Sequence, residues 1–331
     1  MKRKIELQLT EPLLATYHRQ IGGCAIIATN PSIGNWYLNT CVDLFCNRKF
    51  LRGFTTPEID IYKSNYRDNP HLEKEDVSLK YLKRHTCDVI KAMLDDGKYV
   101  YITRIDDFYI RGKTWYNTRH FPHDALIYGY DNEDETFLMY AYDENWLLRS
   151  FKTPINGVNR ARKATEKDTD SGKIIALRVK NDAVELNISE IRDKIKNYLS
   201  SSFEKYPPDI DYRAFGIVVH EYIAMFLDKH IDGSIPYEKI DRRVFRQIWE
   251  HKKLMKLRIE ACLKKLGVTS NLADRYGEIV KTADTMRMLY ASHVRKRRDS
   301  VLPVIKEKLL YINEEEKKLL YEFLNELERI G

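Results

Sequence analysis

The stretch His123-Asp124-Ala125-Leu126-Ile127-Tyr128-Gly129-Tyr130-Asp131, followed by Thr136-Phe137-Leu138-Met139-Tyr140-Ala141-Tyr142-Asp143, decides the fold. Both runs are rich in aromatic and branched residues, and the polar break between them reads as a hairpin loop. Working outward, Tyr99-Val100-Tyr101-Ile102-Thr103 comes after a turn at Asp95-Asp96-Gly97, and residues 147–151 follow. These short runs predict an antiparallel sheet. Upstream, Asn30 as a cap, Pro31 at a first helical position, and Ile33, Trp36, Tyr37, Cys41, Leu44 and Phe45 at helical spacing predict one helix. Val77 to Leu94 predicts a second. Downstream, residues 157–172 read as a polar connector, residues 173–180 and 183–187 as two more strands, and the remainder as helix. Phe215, Val219, Tyr222 and Phe226 form one helical stripe; Leu320, Phe323, Leu324 and Leu327 form another, with Asn313 and Glu316 resembling its capping box. Helices, then a sheet, then helices make the fold class α+β.

With 331 residues the chain is long enough for two domains at about 150 residues each, and for a core that needs no staple. The expected division is 1–185, holding the sheet, and 186–331, mainly helical. Hydrophobic residues at 43% beside charged residues at 32% describe a globular chain, with a mean hydropathy of -0.52, and no apolar run approaches the roughly 20 residues of a membrane span. Cys24, Cys41, Cys46, Cys87 and Cys262 are odd in number and include no CxxC pair, against both a disulfide framework and a zinc finger. Lys2, Arg3 and Lys4 are followed by Glu6, Gln8 and Glu11, which interrupt any signal-peptide core, so a reducing cytoplasm is the expected location.

Net charge is +7, and it is uneven. Residues 1–170 carry 25 basic and 24 acidic side chains and residues 171–331 carry 31 and 25, a net of +1 against +6. Nine Lys or Arg lie between Arg242 and Gly267 against only Glu250 and Glu260, a composition that attracts an acidic partner or simply solvates a helix.

Nucleotide signatures are missing: there is no GxGxxG after a strand and no GxxxxGK[ST] loop. His220-Glu221 lacks the second histidine of HExxH, and His120 with His123 lacks a convincing third ligand, so no metal site is expected. A five-residue loop from Asp131 to Glu135 sets cross-strand partners to sum to 266 and places His123 opposite Asp143. Such a carboxylate fixes the imidazole tautomer and stabilises its charged form; the same pair also serves as a polar margin of a sheet. A nucleophile is then sought among the cysteines. Gln20-Ile21-Gly22-Gly23-Cys24-Ala25 sets Cys24 behind two glycines; if it opens a short helix, the unpaired N–H groups there favour thiolate and can hold an oxyanion. Buried Cys24 as a small core residue is the competing assignment, and the other four cysteines read as core.

The run from Gly97 to Asp131, with its strand Tyr99-Val100-Tyr101-Ile102, an aspartate at Asp106 or Asp107, Tyr109, and His123 leading into Ile127-Tyr128-Gly129-Tyr130-Asp131, resembles the N-terminal domain of the butirosin biosynthesis protein H family. That family is a branch of the papain-like, bacteriocin-peptidase-like cysteine enzymes. Residues 249–259, from Trp249 to Ile259, resemble the helical part of homologues tied to nonribosomal, thiotemplated assembly lines. The resemblance implies a papain-like cysteine-enzyme fold in which Cys24, His123 and Asp143 are catalytic, with Gln20 as an oxyanion-side donor. It further implies transfer of an acyl group from a carrier protein's phosphopantetheine thioester to a small-molecule amine in antibiotic biosynthesis, with no bound cofactor. An acidic carrier protein would dock on Arg242, Arg243, Lys252, Lys253, Lys256 and Arg258.

Two other classes compete. A thiol peptidase or amidase would use the same three residues with water as acceptor. A non-catalytic papain-like binding protein would keep Cys24 buried. Nucleic-acid binding, motivated by Arg295-Lys296-Arg297-Arg298, lacks any recognised module.

Overall fold

A computed structural model of the chain describes residues 2–52, 56–82, 85–165, 172–202, 213–235, 237 and 240–330. It divides into two compact units, Met1–Ile33 with Asn65–Ala183, and Gly34–Ser64 with Val184–Gly331. Segment 34–64 therefore falls with the helical unit instead of with the 1–185 domain expected from sequence. The reason is strand pairing, given below. Among the described residues no helix is long and apolar enough to cross a membrane.

The first unit is built on a seven-stranded antiparallel sheet. Its strands are β1 (Lys4–Glu6), β4 (Leu72–Ser78), β5 (Tyr99–Asp106), β6 (Pro122–Asp131), β7 (Thr136–Tyr142), β8 (Leu148–Pro154) and β9 (Lys173–Val179), in the order β4-β9-β5-β6-β7-β8 with β1 on β6. Period-two alternation turns Val100, Ile102, Ile127, Phe137, Met139, Ala141 and Ile174 to one face. There they are buried with Ile90 and Leu94 of α4 (Thr86–Asp95) and Val158 and Ala161 of α5 (Ile155–Ala164). Tyr101 points to the other face, where α1 (His18–Ile27) lies close: a Cβ on Gly22 would stand 3.0 Å from the Tyr101 ring. A larger residue there would need the Tyr101 ring to give by a few tenths of an ångström.

Three expectations need correction. The helix expected over 77–94 begins as strand: β4 runs to Ser78, followed by α3 (Leu79–Leu82) and α4. The Glu-Lys-Glu-Asp run of β4 is the charged sequence of an exposed edge strand, which hides a strand from hydropathy patterning. Residues 157–164 of the expected polar connector belong to α5, whose buried Val158 and Ala161 sit among exposed basic residues, and its residues 166–171 lie outside the described residues. Residues 183–187 form no strand.

The second unit holds a three-stranded sheet, β10 (Arg213–Phe215), β2 (Leu44–Asn47) and β3 (Ile59–Ile61) in that order, which draws segment 34–64 into it. Around it stand α2 (Pro31–Thr40) from Gly34 onward, α6 (Ile188–Ser200), α7 (Val219–Ile231), α8 (Arg243–Leu266), α9 (Leu272–Lys296) and α10 (Leu302–Ile330). The helix from Pro31 starts as the spacing predicts, but Leu44 and Phe45 lie on β2 beyond it. Asn313 is buried inside α10 and caps no helix start. Leu320, Phe323, Leu324 and Leu327 are buried on α10 as their spacing requires.

Candidate active site

The site is set by a β-bulge. In the β5–β6 ladder Ile102 pairs with Ala125, but the next pair is Ile105 with His123, so Thr103 and Arg104 together oppose the single Asp124. Arg104 takes a left-handed φ of 56°, and its N–H donates to Asp124 Oδ1 at 3.0 Å. Tyr101 Oη donates to Asp124 Oδ2 at 2.7 Å. Asp124 thus stabilises the bulge from the partner strand. The extra residue changes which side chains meet at the mouth of the two strands, and it brings Asp107, just beyond the end of β5, beside His123.

Asp107 Oδ2 lies 3.3 Å from His123 Nδ1. Lys113, from the connection between β5 and β6, has Nζ 3.5 Å from Asp107 Oδ1 and 3.4 Å from the same His123 Nδ1. The Asp107 and Lys113 side chains are buried, while the His123 side chain keeps 29% of its surface exposed. Burial pushes the Lys113 ammonium below its ordinary value, with the Asp107 carboxylate pulling it back up. With Nδ1–H donated to Asp107, His123 Nε2 carries the lone pair of a general base.

The N-terminal turn of α1 meets this ring. His18 packs edge-on against His123, centroids 4.2 Å apart, and is 5.8 Å from Tyr142, whose hydroxyl donates to Ala15 O at 2.5 Å. The first helical residue is therefore His18. Cys24 is the seventh, about 9 Å further along the axis at 1.5 Å per residue. It is 1% exposed. The expected placement of Cys24 at a helix start is overturned, because Tyr17 is the N-cap and the helix begins six residues earlier. Gln20 belongs to that cap: fully buried, its Oε1 accepts the Tyr17 N–H at 3.0 Å, a structural task in place of the oxyanion role expected for it.

Asp143 does not orient His123. It lies in the turn between β7 and β8, where its Oδ1 accepts the N–H groups of Asn145 at 2.8 Å and Leu147 at 2.9 Å, and its other oxygen pairs with Arg149. The loop after Asp131 has four residues, giving a sum of 267 at Asp131 and Thr136. A second bulge at Tyr128 then restores 266 at Leu126 and Tyr140. The count was thus right at that pair, but Asp143 has already turned out of the strand. Asp107, Lys113 and His18 are the site residues that spacing missed; only the aspartate had a signal, as a landmark of the family resemblance.

His120 has its own carboxylate. Its Nδ1 lies 2.6 Å from Asp106 Oδ2 and its ring stacks on Phe108 at 4.4 Å. His120 and His123 are committed to successive aspartates, and among the described residues no group of three metal-ligating side chains converges.

The basic face expected on α8 is not one surface. Lys252 is buried, with Nζ donating to Glu316 Oε2 at 2.6 Å and to Tyr198 Oη at 3.1 Å. Arg258 is buried too, donating to the Leu38 and Cys41 carbonyls at 2.6 and 2.8 Å. Arg243 pairs with Asp241, Lys256 with Glu260, and Lys253 stacks 4.5 Å above the Trp249 ring. Arg242 is exposed. Lys252 and Arg258 cannot touch a carrier protein, since each replaces lost hydration with bonds inside the unit.

Comparison with protein-family models and with curated proteins gave no match to this chain.

Proposed function

We propose that the first unit is an acyl-transfer site in which His123, oriented by Asp107, acts as a general base toward an amine that attacks a thioester. The observation that carries this reading is the partly exposed His123 ring with its Nδ1 3.3 Å from a buried carboxylate. In this reading the amine gives its proton to His123 Nε2 as its nitrogen bonds to the thioester carbonyl carbon. The C–S bond then breaks, and the protonated ring returns the proton to the departing thiolate. Asp107 holds the tautomer and steadies the imidazolium that forms between the two steps. The thioester class, carried on an acidic carrier protein, rests on the family resemblance of residues 97–131.

Direct attack is favoured over a covalent route by the placement of Cys24, buried and six residues beyond the first residue of the helix. The test is incubation of the protein with an acylated carrier protein and a panel of amines, read by intact mass. Amide product formed by wild type and by Cys24→Ala, and lost in His123→Gln with the fold retained, supports direct transfer. A mass gain on the wild-type chain that disappears in Cys24→Ala would replace it with the covalent route. Absence of amide with every acceptor would remove acyl transfer and leave a binding role.

A further inference from the structure

The side chain of Lys113 is enclosed, yet it ends at Asp107 and His123, the carboxylate and ring of the proposed base. Nζ reaches Asp107 Oδ1 at 3.5 Å and His123 Nδ1 at 3.4 Å, and Asp107 Oδ2 reaches the same Nδ1 at 3.3 Å. A ring nitrogen has either a proton or a lone pair, so Nδ1 cannot both donate to Asp107 and accept from Lys113. One carboxylate therefore stands between an ammonium and an imidazole that becomes a second cation on protonation.

We propose that Lys113 is a positioning residue that competes with His123 for the Asp107 carboxylate and so opposes a second cation on the imidazole. The inference rests on the reading of His123 as a base and adds what regulates that base. When the ring is neutral, Lys113 turns to Asp107 Oδ1, and Asp107 Oδ2 accepts Nδ1–H. When the ring takes a proton, two cations 3.4 Å apart share one anion, which favours release.

Other groups lie against this cluster. His18 of α1 packs edge-on against the His123 ring. Asp124 of β6 acts on Lys113 through space, while its two oxygens are engaged by the Arg104 N–H and the Tyr101 hydroxyl. Phe121 lays its ring 5.2 Å from that of His123, and its carbonyl accepts the Asp107 N–H at 3.0 Å.

The experiment is an NMR titration of the His123 ring in the full chain between about pH 5 and 9, which needs no substrate and no activity. In Lys113→Met the midpoint of the ring's titration should move up by about one pH unit or more; in Asp107→Asn it should move down. An unchanged or lowered midpoint in Lys113→Met overturns the proposal and shows Lys113 to be structural. Should either variant fail to fold, the wild-type chain decides: the Lys113 Cε resonance must step at the His123 midpoint, and its failure to do so overturns the competition. If the chain shows acyl-transfer activity, the acidic limb of its pH–rate profile should shift with the ring in Lys113→Met. An inactive chain with the predicted NMR shifts would sink the proposed function and leave this inference standing.

Discussion

Asp107 Oδ2 sits 3.3 Å from His123 Nδ1 even though the ladder pairs His123 with Ile105, two positions earlier on the strand. The carboxylate arrives from beyond the end of β5, and only the bulge at Thr103 and Arg104 makes the distance work. A regular ladder continuing from Ile102 and Ala125 would set Arg104 against His123.

Asp107 and Asp143 therefore have separable roles. Asp107→Asn should lower kcat/KM for amide formation by roughly 100- to 10,000-fold, the range for loss of base orientation. Asp143→Asn should leave the rate within a few-fold. Its effect should be a lower Tm, because Arg149 loses its anionic partner in the β7–β8 turn. Steady-state kinetics on both variants, with thermal melts, reads the difference; a rate loss in Asp143→Asn equal to that in Asp107→Asn would contradict the assignment.

Gly129 is fixed by a neighbouring backbone. A Cβ there would lie 2.4 Å from Ile5 O and 2.8 Å from Leu138 Cδ1, so Gly129→Ala must push β1 away from β6. The expected cost is about 1–3 kcal/mol, the range for forced overpacking. The Leu7 N–H, which donates to Tyr128 O at 2.9 Å, should lose hydrogen-exchange protection before the central strands do. Uniform loss of protection would show that β1 is not the yielding part.

Much of this architecture is legible in the chain itself. Residues 99–103, 125–128 and 136–140 are strands because branched and aromatic side chains there alternate between two covered faces. The bulges are not legible, since nothing in Thr103, Arg104 or Tyr128 marks an extra residue, and each changes every pairing beyond it. The first turn of α1 was misread because two glycines before Cys24 look like a break, whereas Gly22 is helical and small only to admit Tyr101. The fates of Lys252 and Arg258 were readable: they stand four residues after Ile248 and three after Met255 on the apolar stripe of α8. Their charge concealed the spacing.

The Lys252–Glu316 pair is fully enclosed, with the Tyr198 and Tyr276 hydroxyls also donating to Glu316. Lys252→Met should cost about 3–5 kcal/mol, because it leaves a buried carboxylate without its cation. Adding Glu316→Leu should restore part of that loss, since the stranded charge is removed. Urea denaturation of the single and double variants measures both steps. A double variant less stable than Lys252→Met would show that the carboxylate matters beyond its pairing with the lysine.

Acid should destabilise the second unit in two stages. Burial, followed by the nearby Lys252 charge, pushes His220 down to about 3, and burial holds His251 well below the usual imidazole range. Folding with these rings neutral gives stability that is complete above about pH 6.5 and falls as pH drops, because the unfolded chain binds the protons that the folded one refuses. Asp43 works the other way: burial raises it to about 7, so its share of stability grows as pH falls from 7 toward 4. Burial also lowers His230, so three histidines against one aspartate leave a net loss as pH falls below 6.5, at about 1.4 kcal/mol per pH unit for each uncompensated group. Below 4.5 Glu316 enters. Burial would raise it, but Lys252, His220 and His251 hold it at about 2, so its stabilisation is lost as pH falls from 4.5 toward 2. Asp43 no longer offsets the loss below its unfolded value of 3.8, and the slope should steepen there. Denaturant melts at pH 7.5, 5.5 and 4 should show the gradual decline, and His220→Asn should flatten it. A stability that rises between pH 7.5 and 5.5 would mean that Asp43 outweighs the three rings.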